Sequence, residues 1–418
     1  MIMWELIKEN QRKSWFLFMA MGGCLLALGY TIGVAWVPHQ DGGILGMMMA
    51  ALLWFVLSLI SYFSGDSILL SMSGAKEVNR HVHPQLFNVV EEMKIAANLP
   101  VMPRIYIIDS PAPNAFATGR NPEKSAIAVT AGLLSMLNRD ELQGVIAHEM
   151  SHVINRDVLY MTFAGVLLGS IVILSESFWR SQYYSASSRR YRSSSRDNSQ
   201  AQAVMMVVAI VFAILAPILA RLFYFSLSRR REYLADASAV RLTRYPEGLA
   251  SALEKISRPD IQLANANRVT ASMYIINPLK ASSRNMVNAF STHPPVEERI
   301  KILRSMMKGA NYKQYAEAFS KVKGNASLMP SSALADSESV PLRPSTASAE
   351  DPRSSKQKAR DLGDLMRVLN NYLFISCACG LVIKIPMDFN RKVLTCPRCQ
   401  REHDPRSARP APARVSPG

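Results

Sequence analysis

Charged residues are missing from two long stretches near the N-terminus, Ser14–Val37 and Gly42–Gly65. As a helix, each stretch is long enough to cross the ~30 Å hydrocarbon core of a bilayer. The first stretch exceeds the ~7–15 apolar residues that are usual for a cleaved signal, and the second follows it almost at once. We therefore interpret the pair as a transmembrane hairpin that turns at Pro38–Asp41.

Acidic residues are also scarce, with 32 against 48 lysines and arginines, and the formal net charge is +16. Such a charge is compatible with either nucleic acid or an anionic membrane surface as a partner. No pattern of stacking aromatic residues accompanies the basic residues, so we expect no nucleic-acid ligand. The hydropathy pattern favours the lipid bilayer.

The distribution of lysine and arginine predicts the orientation in the membrane. Lys8, Arg12 and Lys13 precede the first apolar stretch, whereas the Pro38–Asp41 turn has neither lysine nor arginine. We therefore expect a protein of the inner (cell) membrane, with its N-terminus and the chain after Gly65 on the cytoplasmic side.

Two further apolar runs, Val158–Ser175 and Ser199–Ala220, form a second candidate hairpin. The first run is of marginal length for a span. The second contains Pro217, which a membrane helix tolerates. The loop between them, Glu176–Asn198, carries five arginines, which disagrees with an external position. A spanning pair and a shallow, non-spanning hairpin both remain open, and the apolar character of the second run favours spanning.

A pentapeptide with metal-ligand spacing, His148-Glu149-Met150-Ser151-His152, lies just before this hairpin. Two imidazoles four residues apart lie on one face of a helix and can bind one zinc ion, while the carboxylate between them can accept a proton from water. Asn138 and Glu141 have the spacing of a capping box. Glu149 projects into the apolar side of the helix, where burial of a carboxylate is costly without a compensating partner. This cost favours a catalytic site over an amphipathic helix with incidental His and Glu.

A catalytic zinc site needs a third protein ligand. Glu232 and Asp236 lie one helical turn apart, so Glu232 could bind the metal while Asp236 orients a histidine ligand. By spacing alone, a solvated and charged helix face explains this pair slightly better.

Four segments in order resemble the integral-membrane zinc metalloproteases of the HtpX type, in the family that also includes the CaaX prenyl proteases. The resemblance covers about residues 1–305, and the segments are Asn114–Gly119, His148–His152 with Asp157 after it, Glu232-x-x-x-Asp236, and His293-Pro-Pro-Val-Glu-Glu-Arg299.

This resemblance implies His148, His152 and Glu232 as zinc ligands and Glu149 as the general base. It also implies that Asn114–Gly119 is an edge strand, in which Asn114, Ala115, Phe116 and Ala117 hold the substrate backbone. Without the resemblance, an ordinary turn would be the better interpretation of that segment. His293 and Arg299 correspond to a region that flanks the active site. His293 is a candidate catalytic residue, for contact with substrate or oxyanion, and a histidine beside a turn is the equal alternative.

Four cysteines near the C-terminus form a second metal candidate: Cys377, Cys379, Cys396 and Cys399. Two close pairs of thiolates suit a tetrahedral zinc ion and resemble a zinc ribbon. The first pair is CxC rather than the commoner CxxC, so His403 could replace one ligand. Disulfide pairing is the alternative, which a cytoplasmic location disfavours. Cys24 in the first apolar stretch is most simply a packing residue.

The predicted fold class is a mainly α membrane protein, with two transmembrane hairpins, a split α+β zincin-like catalytic domain and a small zinc ribbon. The predicted units are an N-terminal hairpin (1–70), a first catalytic half (71–157), a second membrane hairpin (158–225), a second catalytic half with the third ligand (226–309), a flexible linker (310–371), the ribbon (372–404) and a basic disordered tail (405–418). The linker predicts a ribbon that is independent of the catalytic halves and is available to a substrate or a protein partner.

The predicted function is a zinc metalloendopeptidase with one catalytic and one structural zinc ion. The resemblance alone implies a role in protein quality control, with misfolded or damaged membrane proteins as substrates. One alternative is a proteolytically inactive, zinc-binding membrane adaptor. Another is a CaaX-type processing protease, although four candidate spans are too few to enclose the large chamber of that branch.

Overall fold

A computed structural model of the chain describes residues 2–36, 41–158, 168, 170–180, 183, 199–258, 274–275, 293–306, 309–324, 327–329, 334, 340–345 and 353–409. These residues are mainly helical, as predicted. The helices are α1 (Ile2–Trp36), α2 (Gly42–Met72), α3 (Pro84–Ala96), α4 (Ala131–Met136), α5 (Arg139–Ile154), α6 (Ser199–Thr243), α7 (Pro246–Ser257), α8 (Val296–Arg304), α9 (Tyr312–Lys323) and α10 (Ser355–Leu369).

Helices α1 and α2 pack closely because glycines face each other where they cross. A Cβ atom added at Gly33 would lie 2.2 Å from the carbonyl oxygen of Gly42, and one at Gly46 would lie 2.2 Å from that of Gly29. Small residues at this spacing let two membrane helices approach backbone to backbone. Within the described ranges, α2 alone is long and apolar enough to cross a membrane, while the apolar segments Phe18–Val34 and Met206–Ala220 are shorter.

The two predicted hairpins contribute to one apolar cluster. It includes Met21, Leu25, Leu28 and Ile32 of α1, Ala50 of α2, Ile171 and Phe178 of the helical residues 170–180, and Ala213, Ala216 and Ala220 of α6. The helix of the third apolar run thus continues to residue 180, beyond its predicted end at Ser175. Residues 159–167 and 184–198 lie outside the described ranges.

A four-stranded sheet lies within residues 71–157, the predicted first catalytic half. Its strands are β1 (Ala75–Glu77), β2 (Arg104–Ile108), β3 (Ala115–Thr118) and β4 (Ala126–Thr130), in the order β1-β2-β4-β3. Strands β2 and β4 are parallel, whereas β3 runs antiparallel to β4 with Ala115 opposite Val129. The segment from Asn114 therefore contains a strand rather than an ordinary turn, and this strand is at the edge of the sheet.

Helix α5 lies between this sheet and the second catalytic half. The predicted capping box is present, because the Asn138 side chain accepts the Glu141 N–H at 2.9 Å and Glu141 accepts the Asn138 N–H at 2.9 Å. Gly144 allows α7 to approach closely, since a Cβ atom there would lie 2.7 Å from the backbone nitrogen of Leu249. Almost every residue of α5 is buried.

The prediction of a flexible linker over residues 310–371 is wrong for the described part of that range. Tyr315 and Phe319 of α9 are buried in the same apolar core as α5, together with Leu328 and Met329. Helix α10 also occupies this range and packs against α4. The prediction rested on the many small residues between residues 327 and 358. It was wrong because the few large side chains in this stretch are enough to pack it against the core.

The C-terminal cysteines lie at the ends of two short hairpins, β5 (Leu373–Ser376) with β6 (Val382–Ile385) and β7 (Leu394–Thr395) with β8 (Glu402–His403). The chain leading into β5 is fixed to the catalytic sheet, because Lys76 Nζ donates to Leu369 O and Asn370 Oδ1, both at 2.8 Å.

The predicted start of the disordered tail, residue 405, is too early in the chain. The backbone N–H of Phe374 donates to Arg409 O at 2.8 Å, so residues 405–409 belong to the folded part. Residues 410–418 lie outside the described ranges, and the other domain boundaries stay predictions.

Candidate active site and metal centres

The three predicted zinc ligands converge where α5 meets α6. His148 and His152 lie one turn apart on α5, and Glu232 lies on α6. The Nε2 atom of His148 is 3.6 Å from Glu232 Oε2, and that of His152 is 3.5 Å from Glu232 Oε1. One ligand atom from each residue lies within 4.8 Å of the others. Two imidazoles and a carboxylate in this arrangement are a ligand set of catalytic zinc sites, in which the fourth position stays open.

Two aspartates fix the orientation of the imidazoles. Asp236 Oδ1 is 2.9 Å from His148 Nδ1, so Asp236 takes the orienting position considered for it and does not lie on a solvated helix face. Asp157 Oδ2 is 3.2 Å from His152 Nδ1. A carboxylate on Nδ1 leaves Nε2 directed at the metal position and makes the ligand more basic. Sequence reasoning gave Asp157 no role, although its place five residues after His152 was the available signal.

The buried guanidinium of Arg299 balances the charge of these carboxylates. Its Nε and Nη2 atoms donate to the two oxygens of Asp236 at 2.8 and 2.7 Å, and Nη1 is 3.3 Å from Glu232 Oε2. A bidentate pair of this kind holds both partners in fixed geometry. The resemblance placed Arg299 only in a flanking region, and its role as a counter-ion depends on a fold contact that the sequence does not reveal.

Glu149 is buried on the side of α5 that faces β3. Burial raises the pKa of its carboxyl group, although the backbone N–H of Ala117 acts in the opposite direction. Its Oε1 atom has no hydrogen-bond partner among the described residues. A buried carboxylate oxygen without a partner is unusual, because desolvation without a hydrogen bond is costly. It therefore marks an atom that can accept a proton.

His293 lies in the turn that leads into α8, and its Nε2 atom is 3.8 Å from Glu232 Oε2. Burial lowers the pKa of its imidazole. Both interpretations of the sequence thus describe part of its position, since the residue is in a turn and also next to the third ligand. A catalytic role for His293 stays a prediction.

The charges of the site fit a metal cation. Burial alone would lower the pKa of His152, but Asp157 and Glu232 outweigh it and raise the pKa to about 10. Burial would likewise lower the pKa of His148, yet Asp236 and Glu232 raise it. The surroundings thus stabilise positive charge at the two imidazoles. Glu232 Oε2, which has no hydrogen-bond partner in the described part of the chain, offers an oxygen to such a cation.

The outer edge of β3 is next to this centre. Ala115 and Ala117 direct their backbone groups away from β4, because Asn114 O bonds the N–H of Thr130 on that strand. Ala115 O already accepts the N–H of Ile275 at 2.9 Å. The ring centre of the neighbouring Tyr274 is 5.1 Å from that of Phe116. The sequence alone did not indicate Tyr274 or Ile275 as part of the site.

The four ribbon cysteines form a second cluster. Cys377 Sγ is 3.4 Å from Cys399 Sγ, and Cys379 Sγ is 3.7 Å from Cys396 Sγ. All four are free thiols, so the disulfide alternative is not the state observed. Burial raises the pKa of Cys396, but the backbone N–H groups of Cys399 and Arg398 outweigh it and lower the pKa to about 6. Four sulfurs that lie within 4.8 Å of one another, without His403, are a donor set for structural zinc.

Comparisons with known proteins agree with this geometry. The family model described as Peptidase family M48 matches residues 80–307. A Protease HtpX homolog from Dictyoglomus thermophilum is 47% identical over 303 residues, which are 72% of this chain and 94% of that protein. A Protease HtpX homolog from Caldanaerobacter subterraneus is 40% identical over 304 residues, 73% of this chain and 98% of the other. One from Streptococcus pneumoniae strain R6 is 38% identical over 305 residues, with 73% and 100% covered.

A solved structure, that of S. mikatae Ste24p, aligns with 72% of this chain and 66% of its own, at 21% identity and a TM-score of 0.41. A score at that level does not establish a shared fold. The family match covers more than half of the chain and the relatives align over nearly their whole length, so the chain belongs to peptidase family M48 and is a membrane zinc metalloprotease of the HtpX type.

Proposed function

We propose that this metalloprotease hydrolyses peptide bonds of misfolded or damaged membrane proteins at the cytoplasmic face of the cell membrane. The observation that carries the catalytic part is the convergence of the Nε2 atoms of His148 and His152 on the two oxygens of Glu232. Glu149 lies on the same helix, between the two histidines in sequence.

In the proposed mechanism, each residue of the centre has one role. When zinc is bound by His148, His152 and Glu232, it supplies Lewis acidity, which makes a carbonyl carbon more electrophilic and a water molecule more acidic. The Oε1 atom of Glu149 accepts the proton of the attacking water and then delivers it to the leaving amine. The position of Glu149 suits this exchange, because its Oε1 atom is buried and has no hydrogen-bond partner among the described residues.

The proposed substrate position is the outer edge of β3. An extended peptide adds to such an edge through backbone hydrogen bonds, which require little of its side chains. The Ala117 carbonyl is directed outward, whereas the Ala115 carbonyl is bonded to Ile275. A substrate therefore pairs first at Ala117, and longer pairing requires that Ile275 release Ala115.

Contacts between α2 and the sheet support a site close to the membrane surface. Asp66, near the end of α2, is 3.1 Å from Arg104 of β2. The guanidinium of Arg120, which follows β3, lies 5.3 Å from the ring centre of Tyr62 on α2. These contacts hold the substrate strand beside the end of the candidate span, and the basic residues before α1 favour the cytoplasmic side.

We also propose that both hairpins cross the bilayer. The support is the shared apolar cluster of α1, α2, residues 170–180 and α6, because helices packed side by side lie at the same depth. A shallow hairpin over the active site would not share a core with the middle of α1.

A second, structural zinc ion is proposed for the ribbon, on the basis of its four clustered thiols. The ribbon remains a candidate surface for a protein partner. Of the alternative functions, an inactive adaptor would have no need of the oriented set of His148, His152, Glu232 and Asp236, and a CaaX-type chamber would need more spans than four.

The test is cleavage of an unfolded protein by the full-length enzyme purified in detergent. Glu149→Gln should keep the metal and lose at least about 100-fold in rate, because proton transfer by a positioned group contributes about 10²–10⁴-fold. The exposed Glu123→Gln is the matched control and should cleave like the wild type. Cleavage at the wild-type rate by Glu149→Gln would overturn the proposed mechanism.

A further inference from the structure

Residues 340–345, which we call the strap, cross from the end of α6 to the beginning of α5. The backbone N–H of Arg343 donates to Arg244 O at 3.0 Å, and its Nε donates to Thr243 O at 2.8 Å. Its Nη2 atom donates to Asp140 Oδ1 at 3.0 Å and also to Gln143 Oε1. One side chain thus joins the C-terminal carbonyls of α6 to the first turns of α5.

These two helices carry the metal ligands. Asp140 precedes His148 by eight residues on α5, and Thr243 follows Glu232 by eleven residues on α6. At 1.5 Å per residue, the ligands lie about 12 and 16 Å along their helices from the Arg343 contacts. A helix is stiff over such a length, so a link between the helix ends fixes how the ligands on one helix are aligned with the ligand on the other.

The chemistry of the strap suits a fixed link rather than a loose surface contact. A guanidinium is a planar fork that holds several acceptors in set directions. The last carbonyls of a helix have no partner within it, so Arg343 satisfies one that needs a donor. Asp140 is 3% exposed, and its second oxygen accepts the hydroxyl of Ser345 at 2.7 Å. The guanidinium also lies over the ring of Tyr245, 5.1 Å from its centre.

Contacts from α7 bind α5 in a different way. Ser251 Oγ donates to Glu141 Oε1 at 2.6 Å, and Lys255 Nζ lies 2.7 Å from the same oxygen. These bonds attach α5 to α7 and do not reach the end of α6. The strap also lies beyond the family match, which ends at residue 307, so this part of the chain adds a link of its own to the catalytic unit.

We propose that Arg343 is a positioning residue of the peptidase, which acts through Asp140, Gln143 and the Thr243 carbonyl to hold His148 and His152 in line with Glu232. The proposal rests on the ligand set given under the proposed function. It predicts an effect on metal retention and turnover, and little effect on substrate affinity, because Arg343 contacts Asp140 and Gln143 in the first turns of α5, whereas Glu149, which faces β3, follows six residues after Gln143.

The test compares Arg343→Ala, Arg343→Lys and Arg360→Ala in the full-length enzyme. Arg360 is an exposed arginine of α10 and is the matched control. Three quantities are measured: kcat and KM on a short peptide, the rate at which zinc passes to a chelator, and the melting temperature. His148→Ala identifies which phase of zinc release belongs to the catalytic site, since the ribbon phase persists in that variant.

For Arg343→Ala we expect kcat to fall about 10- to 100-fold, as a misplacement of ~1 Å does in other enzymes, with KM within about twofold of the wild type. Release of the catalytic zinc should be faster by about 10-fold, the lower end of what loss of an outer-sphere partner costs in affinity. For Arg343→Lys, kcat and the rate of zinc release should lie between those of the wild type and of Arg343→Ala, because its single ammonium group cannot reach α5 and α6 together. Arg360→Ala should match the wild type.

Two results would overturn the proposal. One is that Arg343→Ala releases its catalytic zinc to the chelator at the same rate as Arg360→Ala and has the same kcat. The other is that both defects vanish when each variant is assayed at the same interval below its own melting temperature, which would reduce Arg343 to a contribution to stability. Failure of the proposed catalytic function would instead appear as full activity of Glu149→Gln, whatever Arg343→Ala does.

Discussion

The catalytic unit and the C-terminal part of this chain are built in different ways. In the catalytic unit, one short motif contains several of the proposed functional residues, because the turn of α5 from His148 to His152 contains two of the proposed metal ligands and the proposed base. In the part after residue 309, the side chains that make the contacts are few and are separated by polar or small residues, such as Tyr315 in the core and Arg343 across two helix ends. The comparison teaches that low apolar content does not by itself make a segment a flexible linker. A few buried or hydrogen-bonded side chains are enough to pack it against the rest of the protein.

The largest effect should come from truncation after Gly309. It removes Tyr315 and Phe319 from the main core, and loss of one large buried aromatic side chain alone costs about 3–5 kcal/mol. We expect no folded, active enzyme, as measured by thermal unfolding in detergent and by peptide cleavage.

Truncation after Ser345 is the matched control for that experiment. It keeps α9 and the strap and removes residues 346–418, including α10, whose Leu369 lies in the main core. The protein should lose some stability, but the catalytic site should stay folded and active. Normal activity after removal of everything beyond Gly309 would restore the independent-module interpretation and abolish the contrast between the two regions.

A smaller effect is expected at the orientation of His152. Asp157→Asn keeps the size of the side chain but removes the charge that stabilises the imidazole through Nδ1. Loss of such a partner typically reduces metal affinity or activity by about 10- to 100-fold. Zinc competition with a chelator measures the change, with Asp109→Asn, at the residue after β2 that accepts a bond from Asn370, as the control. An unchanged affinity would mean that Asp157 is not an orienting residue.

The smallest effect on peptide cleavage should come from the ribbon itself. Cys396→Ser removes one of four thiols and should unfold the ribbon, because metal supplies much of the folding energy of so small a module. The strap and α9 are unaffected, so cleavage of a short peptide should stay within about twofold of the wild type. Loss of that cleavage with the catalytic zinc still bound would extend the catalytic unit to the ribbon.

How far the sequence predicts the structure follows the same division. The capping box of α5, the strands β2 and β4 and the pair of His148 and His152 follow from patterns within short segments, and the structure contains each of them. Strand β3 and the positions of Glu232 and Asp236 follow from the family resemblance, because local spacing alone slightly favoured a turn and a solvated helix face, and the structure brings both acidic residues next to the histidines. Asp157, Arg299 and Arg343 act on partners that only the fold brings close. Arg299 and Asp236, for example, are 63 positions apart in the chain, so no local periodicity connects them.

The β3 edge illustrates a prediction that was right in outline only. The family resemblance implied an edge strand where the residues alone favoured an ordinary turn, and β3 is an edge strand. The bond from Ile275 to Ala115 depends on a segment 160 positions later in the chain, so no pattern within the β3 segment reveals it. A strand predicted to lie at a sheet edge is often covered by a loop or helix from a distant part of the chain.

The central claim is that two separate metal centres exist, one at the junction of α5 and α6 and one in the ribbon. Zinc content per chain tests it most directly, in the wild type, His148→Ala, Cys396→Ser and the double variant. From the two donor sets we expect about two zinc ions in the wild type, about one in each single variant and none in the double variant. A His148→Ala protein that keeps two zinc ions, or a Cys396→Ser protein that keeps none while still folded, would contradict the account.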